Sequence, residues 1–442
     1  MTISLTDSHR IHAQDFADFI VKSPSSYHAA AEIARRLLAC GFTQLNETDV
    51  FPVAAGGYFF VRDGAVMAWH IPTTVKPQNP TETGFRILGC HTDSPGFKLK
   101  PSGSTVSPDG WGQVEVEMYG GLLLNSWLDR EIGFAGRLVS KTGETHLIAT
   151  GAVARVPQLA VHLDRTVNTD GLKLDPQTHM HPIWTFVYEN EAAPSILDHL
   201  AQLAGLTDAS EISGFDVVSF ATEAPATFGF NQEFFAGGRQ DNLSSVHAGL
   251  TALENYVASE AAKTAKDIAI FAAFDHEEVG SSTRSGASGP MLESLLRRLA
   301  TALDLDEQGY QQMLAVSSCI SADAGHFVHP NYAGNHDPAV HPVPGNGPML
   351  KLNANQRYAS DAVGTALWNR VCERAGIAHQ RFVSNNAMPC GSTIGPLTAT
   401  RLGITTVDVG LGLLSMHSAR EMSYVVDHSL LRDAVVAYWE GA

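Results

Sequence analysis

Residues 268–274, IAIFAAF, are seven apolar or small positions in succession, and the chain then turns abruptly to Asp275-His276-Glu277-Glu278. A run of that length is too short to cross a membrane and suits a strand buried on both faces of a sheet. Strands of similar texture are predicted at 86–90, 315–322 and 404–409. Residues 58–61 and 65–69 flank Arg62-Asp63-Gly64, and an Asp-Gly turn between two apolar runs predicts a hairpin. Helical spacing marks 9–22. A second helix opens at Pro24-Ser25-Ser26, lines one face with Ala30, Ile33 and Leu37, and stops at Gly41. Another carries Leu243, Val246, Leu250 and Leu253 on one face, and further helices are expected near 291–303, 359–375 and 429–439.

Apolar strands alternating with helices predict an α/β fold, a mixed, largely parallel sheet flanked by helices. Residues 99–235 break that rhythm. They are rich in Gly and Pro, alternate as in Gln113-Val114-Glu115-Val116-Glu117-Met118, and show helical spacing only near 195–205. The expected organisation is an α/β domain split between 1–98 and 236–442, with a mostly β domain inserted at 99–235.

Composition removes several classes of partner. A formal net charge of -17 disfavours nucleic acid and anionic membranes, which call for basic patches. No stretch approaches the length of an apolar membrane span, and the opening MTISLTDSHRIHAQDF lacks the apolar core of a signal peptide. Cys40, Cys90, Cys319, Cys372 and Cys390 are scattered without a C-x-x-C pair, as in a reduced, cytoplasmic protein.

The residues just past each predicted strand point to chemistry. His91 and Asp93 come after 86–90, Glu277 and Glu278 after 268–274, Asp323 after 315–322, and His417 lies shortly beyond 404–409. Asp241 precedes a helix, where its charge gains from the helix dipole. If these strands are parallel, all of these groups share one rim of the sheet. Adjacent carboxylates at a buried strand end need a counter-charge, because unpaired buried anions are costly. Two histidines with several carboxylates, and no cysteine cluster, suit zinc, with manganese or cobalt as alternatives in the same geometry. Five ligands are too many for one catalytic zinc that keeps an open position. They suit two ions about 3.5–4 Å apart that share a carboxylate. Asp241 is the expected bridge, with His91 and Asp323 on one ion and Glu278 and His417 on the other. Glu277 is left free as the general base, and Asp93 can accept the second ring N–H of His91.

The stretches that carry these residues resemble the aspartyl aminopeptidases, dinuclear zinc exopeptidases that remove acidic residues from peptide N-termini. The match runs from near residue 20 to the end, through GCHTDSP (89–95), YGGLLLNSWLDREIGFAGR (119–137), VHLDR (161–165), RQDN (239–242), FDHEEVGS (274–281), ISADAGHFVHPNY (320–332), LKLNANQRY (350–358) and MHSARE (416–421). Together these motifs are specific, whereas the His-x-Asp or Glu-Glu pair alone would not separate the family from related zinc amidohydrolases. The resemblance implies the same metal roles and adds others. Lys351 would meet the acidic side chain of the substrate, and His326 and Tyr358 would line its site. His162 would reach the active site of a neighbouring subunit, with zinc ligation as its open alternative. The family pattern also implies a homo-oligomer, a dodecamer built through the inserted domain. His329, His336 and His341 are expected to be bystanders.

The expected function is therefore hydrolysis of unblocked N-terminal Asp or Glu from peptides by metal-activated water. A deacylase or carboxypeptidase on the same dinuclear core is a second reading, and a non-catalytic scaffold stabilised by zinc is a third. No strand leads into a G-x-G-x-x-G turn, which argues against a nicotinamide oxidoreductase.

Overall fold

The computed structural model describes residues 4–75 and 80–442. Among the described residues, the Ile268–Phe274 strand lies inside a nine-stranded mixed sheet. Its side chains alternate between two apolar layers. Ala269, Phe271 and Ala273 pack into one, and Ile268, Ile270, Ala272 and Phe274 into the other. A strand covered on both faces has no position for a polar side chain, which is why this run is apolar throughout.

The strand pairs in parallel with Phe85–His91, that one with Ser318–Ala322, and the last with Thr405–Gly410. Four carboxyl ends therefore open on one rim. The Gly56–Arg62 and Ala65–Ile71 hairpin flanks this block on one side and Met349–Leu352 on the other, each joined to it antiparallel. Helices Asp7–Lys22, Gln240–Ala258 and Val425–Trp439 cover one face of the sheet through Phe16, Leu250 and Tyr438. Met291–Ala302 and Glu307–Ala315 cover the other through Leu295, Leu299 and Met313.

One local expectation is corrected, and one helix is added. The strand expected over 315–322 begins only at Ser318, because Ala315 closes the helix Glu307–Ala315. An apolar stretch such as Met313-Leu314-Ala315-Val316 satisfies either periodicity, so the boundary is not visible in the pattern. The helix Ile394–Leu402 was not expected; it starts at Thr393, whose hydroxyl accepts the N–H of Gly395.

A second, antiparallel sheet draws its strands from residues 96–221. Ile212–Ala221 pairs along its length with Glu131–Ser140 and also touches Gly96–Val106, which curls the sheet into a barrel. Phe97, Val116, Phe134 and Leu138 fill its core. Ala226–Phe228 and Phe234–Gly237 form a three-stranded sheet with Glu421–Tyr424. No helix among the described residues is long and apolar enough to cross a membrane.

Candidate metal centre

The rim created by the parallel strands gathers side chains from five separate segments. His91 is the last residue of its strand, and Asp323 directly follows Ser318–Ala322. Glu277 and Glu278 open a short turn after His276, which takes the left-handed conformation with φ 64°. Asp241 stands in the first turn of Gln240–Ala258 with non-helical angles, φ -82° and ψ 104°. His417 lies in the turn before Glu421–Tyr424 at φ 65°. Left-handed backbone at ordinary residues costs about 1–3 kcal/mol and concentrates at functional sites.

Asp241 presents one oxygen to each histidine. His91 Nε2 is 3.6 Å from Asp241 Oδ1, and His417 Nε2 is 3.3 Å from Asp241 Oδ2. His91 Nε2 is also 3.6 Å from Asp323 Oδ1, while His417 Nε2 is 3.5 Å from Glu278 Oε2. These separations lie at or beyond the long end of the hydrogen-bond range. They match the spacing of about 3.3–3.6 Å between atoms that share a tetrahedral ion at zinc's usual bond lengths. Glu277 Oε2 stands a little further out, 3.9 Å from His91 Nε2.

The donor set fits a divalent cation, with His91, Asp241 and Glu278 close enough to share one. Asp241 Oδ1 and Glu278 Oε1 are buried without a hydrogen-bond partner, a costly state for carboxylate oxygens that no cation neutralises. Burial and the neighbouring Asp241 charge push Glu278 well above the ordinary carboxylate range. Burial likewise raises Glu277 to about 7, with Asp323 and Asp241 adding to the rise and His91 opposing it. Burial opposes charge on the histidines too, yet Asp241 and its neighbours outweigh it, lifting His91 well above its usual value and His417 to about 10. These shifts favour protons on Glu277, Glu278 and the two histidines, and bound cations would replace them.

The clustered side chains are held from behind. Asp93 accepts the backbone N–H of Glu277 at 3.0 Å and of Glu278 at 3.1 Å, and the Tyr119 hydroxyl at 2.8 Å. Its carboxylate also lies 3.2 Å from His91 Nδ1, and its carbonyl 3.1 Å from the same nitrogen. His417 Nδ1 meets the carbonyl of Gly121 at 2.8 Å, which leaves Nε2 facing the cluster.

A cavity of about 240 Å³ opens over the cluster and is lined by Asp241, Glu277, Glu278, Asp323, His326, Lys351, Tyr358 and His417. Lys351 donates to the carbonyl of Ala324 at 2.6 Å and lies 5.4 Å from the centre of the Tyr358 ring. His326 is exposed at the rim. His162 is not in this assembly. It sits on an exposed turn of the segment that carries the second sheet. His329 and His336 hydrogen-bond within their own loop.

Three contributions are not visible in the sequence pattern. The Gly121 carbonyl acts through its backbone and leaves no side-chain signal. Thr393 lines the cavity while its hydroxyl donates to Asp408 at 2.6 Å. Glu421 lies in the MHSARE stretch, but it reaches the site only through backbone N–H groups.

The model of the family described as "Aminopeptidase I zinc metalloprotease (M18)" matches residues 19–439. A curated relative, the "Probable M18 family aminopeptidase 2" of Streptomyces avermitilis, is 48% identical over 433 residues, covering 98% of each chain. Among solved structures, one titled "Cryo-EM structure of the Ape4 and Nbr1 complex" superposes with a TM-score of 0.92 at 30% identity, covering 100% of this chain and 88% of the other. The mApe1 dodecamer of S. cerevisiae superposes with a TM-score of 0.83 at 28% identity, covering 98% of each chain.

Proposed function

The chain belongs to the M18 family of zinc metallo-aminopeptidases, and on that premise we propose that it removes unblocked Asp and Glu residues from peptide N-termini. Two zinc ions would be held by His91 and Asp323 on one side and Glu278 and His417 on the other, with Asp241 between them. The observation that carries this reading is the orientation of Asp241, one oxygen toward each histidine. Bound zinc would supply Lewis acidity, polarising the scissile carbonyl and lowering the pKa of water.

Glu277 takes the proton of the attacking water and returns it to the leaving amine. Its backbone N–H is fixed by Asp93, and burial keeps its pKa near the working range, at about 7. The carboxylates lining the cavity favour a positively charged α-amine and so an unblocked terminus. Lys351, buried except for its opening to this cavity, pairs with the substrate's acidic side chain, and Tyr358 and His326 flank it.

His162 sits beside exposed apolar residues: Leu159, Val161 and Leu163 are 59%, 51% and 75% exposed. A surface of this kind suits burial against another copy of the chain. Together with the similarity to the yeast dodecamer, it supports a homo-oligomer, a dodecamer assembled through the 99–235 domain with His162 reaching a neighbour's cavity. Five unpaired cysteines fit the reducing cytoplasm.

The test is a substrate panel on zinc-loaded protein. Asp- and Glu-anilides should be cleaved in preference to Leu-anilide, and N-acetyl-Asp-anilide should be left intact. Release of acetate from the acetylated substrate would favour a deacylase instead.

A further inference from the structure

One buried carboxylate beside the centre faces away from the cavity. Glu421 is 2% exposed, and its oxygens are directed at backbone. Oε2 accepts the N–H of Gln240 at 2.6 Å and of Asp241 at 3.2 Å, and Oε1 accepts the N–H of His417 at 3.0 Å. The segments it joins are far apart in sequence, and each carries a metal-ligand candidate in a conformation that needs support. Helix Gln240–Ala258 begins after Arg239, which sits at φ 61° and offers no side-chain cap, so its first N–H groups need an acceptor from elsewhere. His417 stands in the left-handed region. One carboxylate serves both segments.

We propose that Glu421 is a positioning residue for the ion shared by Asp241, Glu278 and His417, holding two of those ligands in register through their backbones. The proposal rests on the two-ion reading of the centre. The geometry calls for a carboxylate, because three N–H donors converge on two oxygens. Glutamine would turn one donor group toward an N–H, and aspartate is one methylene too short to span both segments. His91 and Asp323 are positioned by other elements, so the effect should be unequal between the two ions.

The experiment withdraws zinc from loaded, full-length protein with a chromophoric chelator, reading stoichiometry and the affinity of each site. Circular dichroism and thermal midpoint are recorded on the same samples. Wild type should release two ions. Glu421→Gln should keep the fold and lose affinity about 10- to 100-fold at one site, with a smaller change at the other. Tyr424→Phe, which removes a hydroxyl from the same strand and leaves the carboxylate in place, should match wild type. Wild-type affinities at both sites in folded Glu421→Gln would overturn the positioning role and leave the two-ion reading intact. Fewer than two ions in wild type would overturn that reading itself. If Glu421→Gln does not fold, Glu421→Asp enters the same titration with the same two outcomes.

Discussion

Lys351→Met isolates acid recognition from the rest of the chemistry. The lysine is 2% exposed, and its ammonium uses one hydrogen bond on the Ala324 carbonyl at 2.6 Å. It also stands 3.6 Å from Asp323 Oδ2. Two of its three N–H donors thus remain for a ligand in the cavity. Methionine has a similar unbranched reach without the charge, so the substitution removes the cation and largely preserves the volume. A substrate carboxylate seated there would still shed its water but would meet no partner, a penalty of about 2–5 kcal/mol. At about 1.4 kcal/mol per tenfold, kcat/KM for an Asp substrate should fall roughly 30- to 3000-fold. A Leu substrate makes no such contact and should change by no more than a few-fold. The assay is kcat/KM on Asp-, Glu- and Leu-anilides, with zinc content measured on each preparation. An unchanged Asp-to-Leu ratio in zinc-loaded Lys351→Met would refute the assignment.

The same geometry sets further outcomes. Glu277→Gln should keep its zinc and lose about 100-fold or more in kcat; the acid limb of the pH profile, where Glu277 becomes protonated, should vanish with it, and a retained limb would point to another base. Asp93→Asn disturbs the carboxylate that fixes both glutamates and faces His91, so chelator competition should show zinc affinity lower by about 10- to 100-fold. Wild-type affinity there would remove Asp93 from the account. Buried histidines and buried carboxylates pull acid stability in opposite directions: burial lowers His12 and His247 and brings His428 down to about 3, while it raises Glu277 and Asp427 to about 7. Because the histidine pKa values are depressed, the unfolded chain takes up protons there first. The contribution of these histidines is then complete above the unfolded value near 6.5 and falls below it, by about 1.4 kcal/mol per pH unit for each. In zinc-stripped protein the thermal midpoint of wild type relative to that of His428→Gln should fall between pH 6 and 4; a constant difference would contradict this.

The parallel block was legible because burial on both faces leaves an unmistakable apolar run, as in Ile268–Phe274, and because chemistry sits where such runs stop. That rule alone puts His91, Glu277, Glu278 and Asp323 on one rim. Asp241 and His417 needed a further inference, since neither directly ends a strand. Helix Glu307–Ala315 was hidden because its apolar end merges with the following strand. The pairing of Phe234–Gly237 with Glu421–Tyr424 joins residues nearly two hundred positions apart, and no local pattern announces such a contact. The supports of the site were the least visible. Gly121 and Glu421 act on or through backbone groups that every residue possesses.

The central claim is that Asp241 lies between two cations. Anomalous diffraction at the zinc edge, from crystals of the zinc-loaded protein, tests it most directly. The account predicts two peaks flanking the Asp241 carboxylate, one beside His91 and Asp323 and the other beside Glu278 and His417. A single peak, or peaks remote from Asp241, would contradict it.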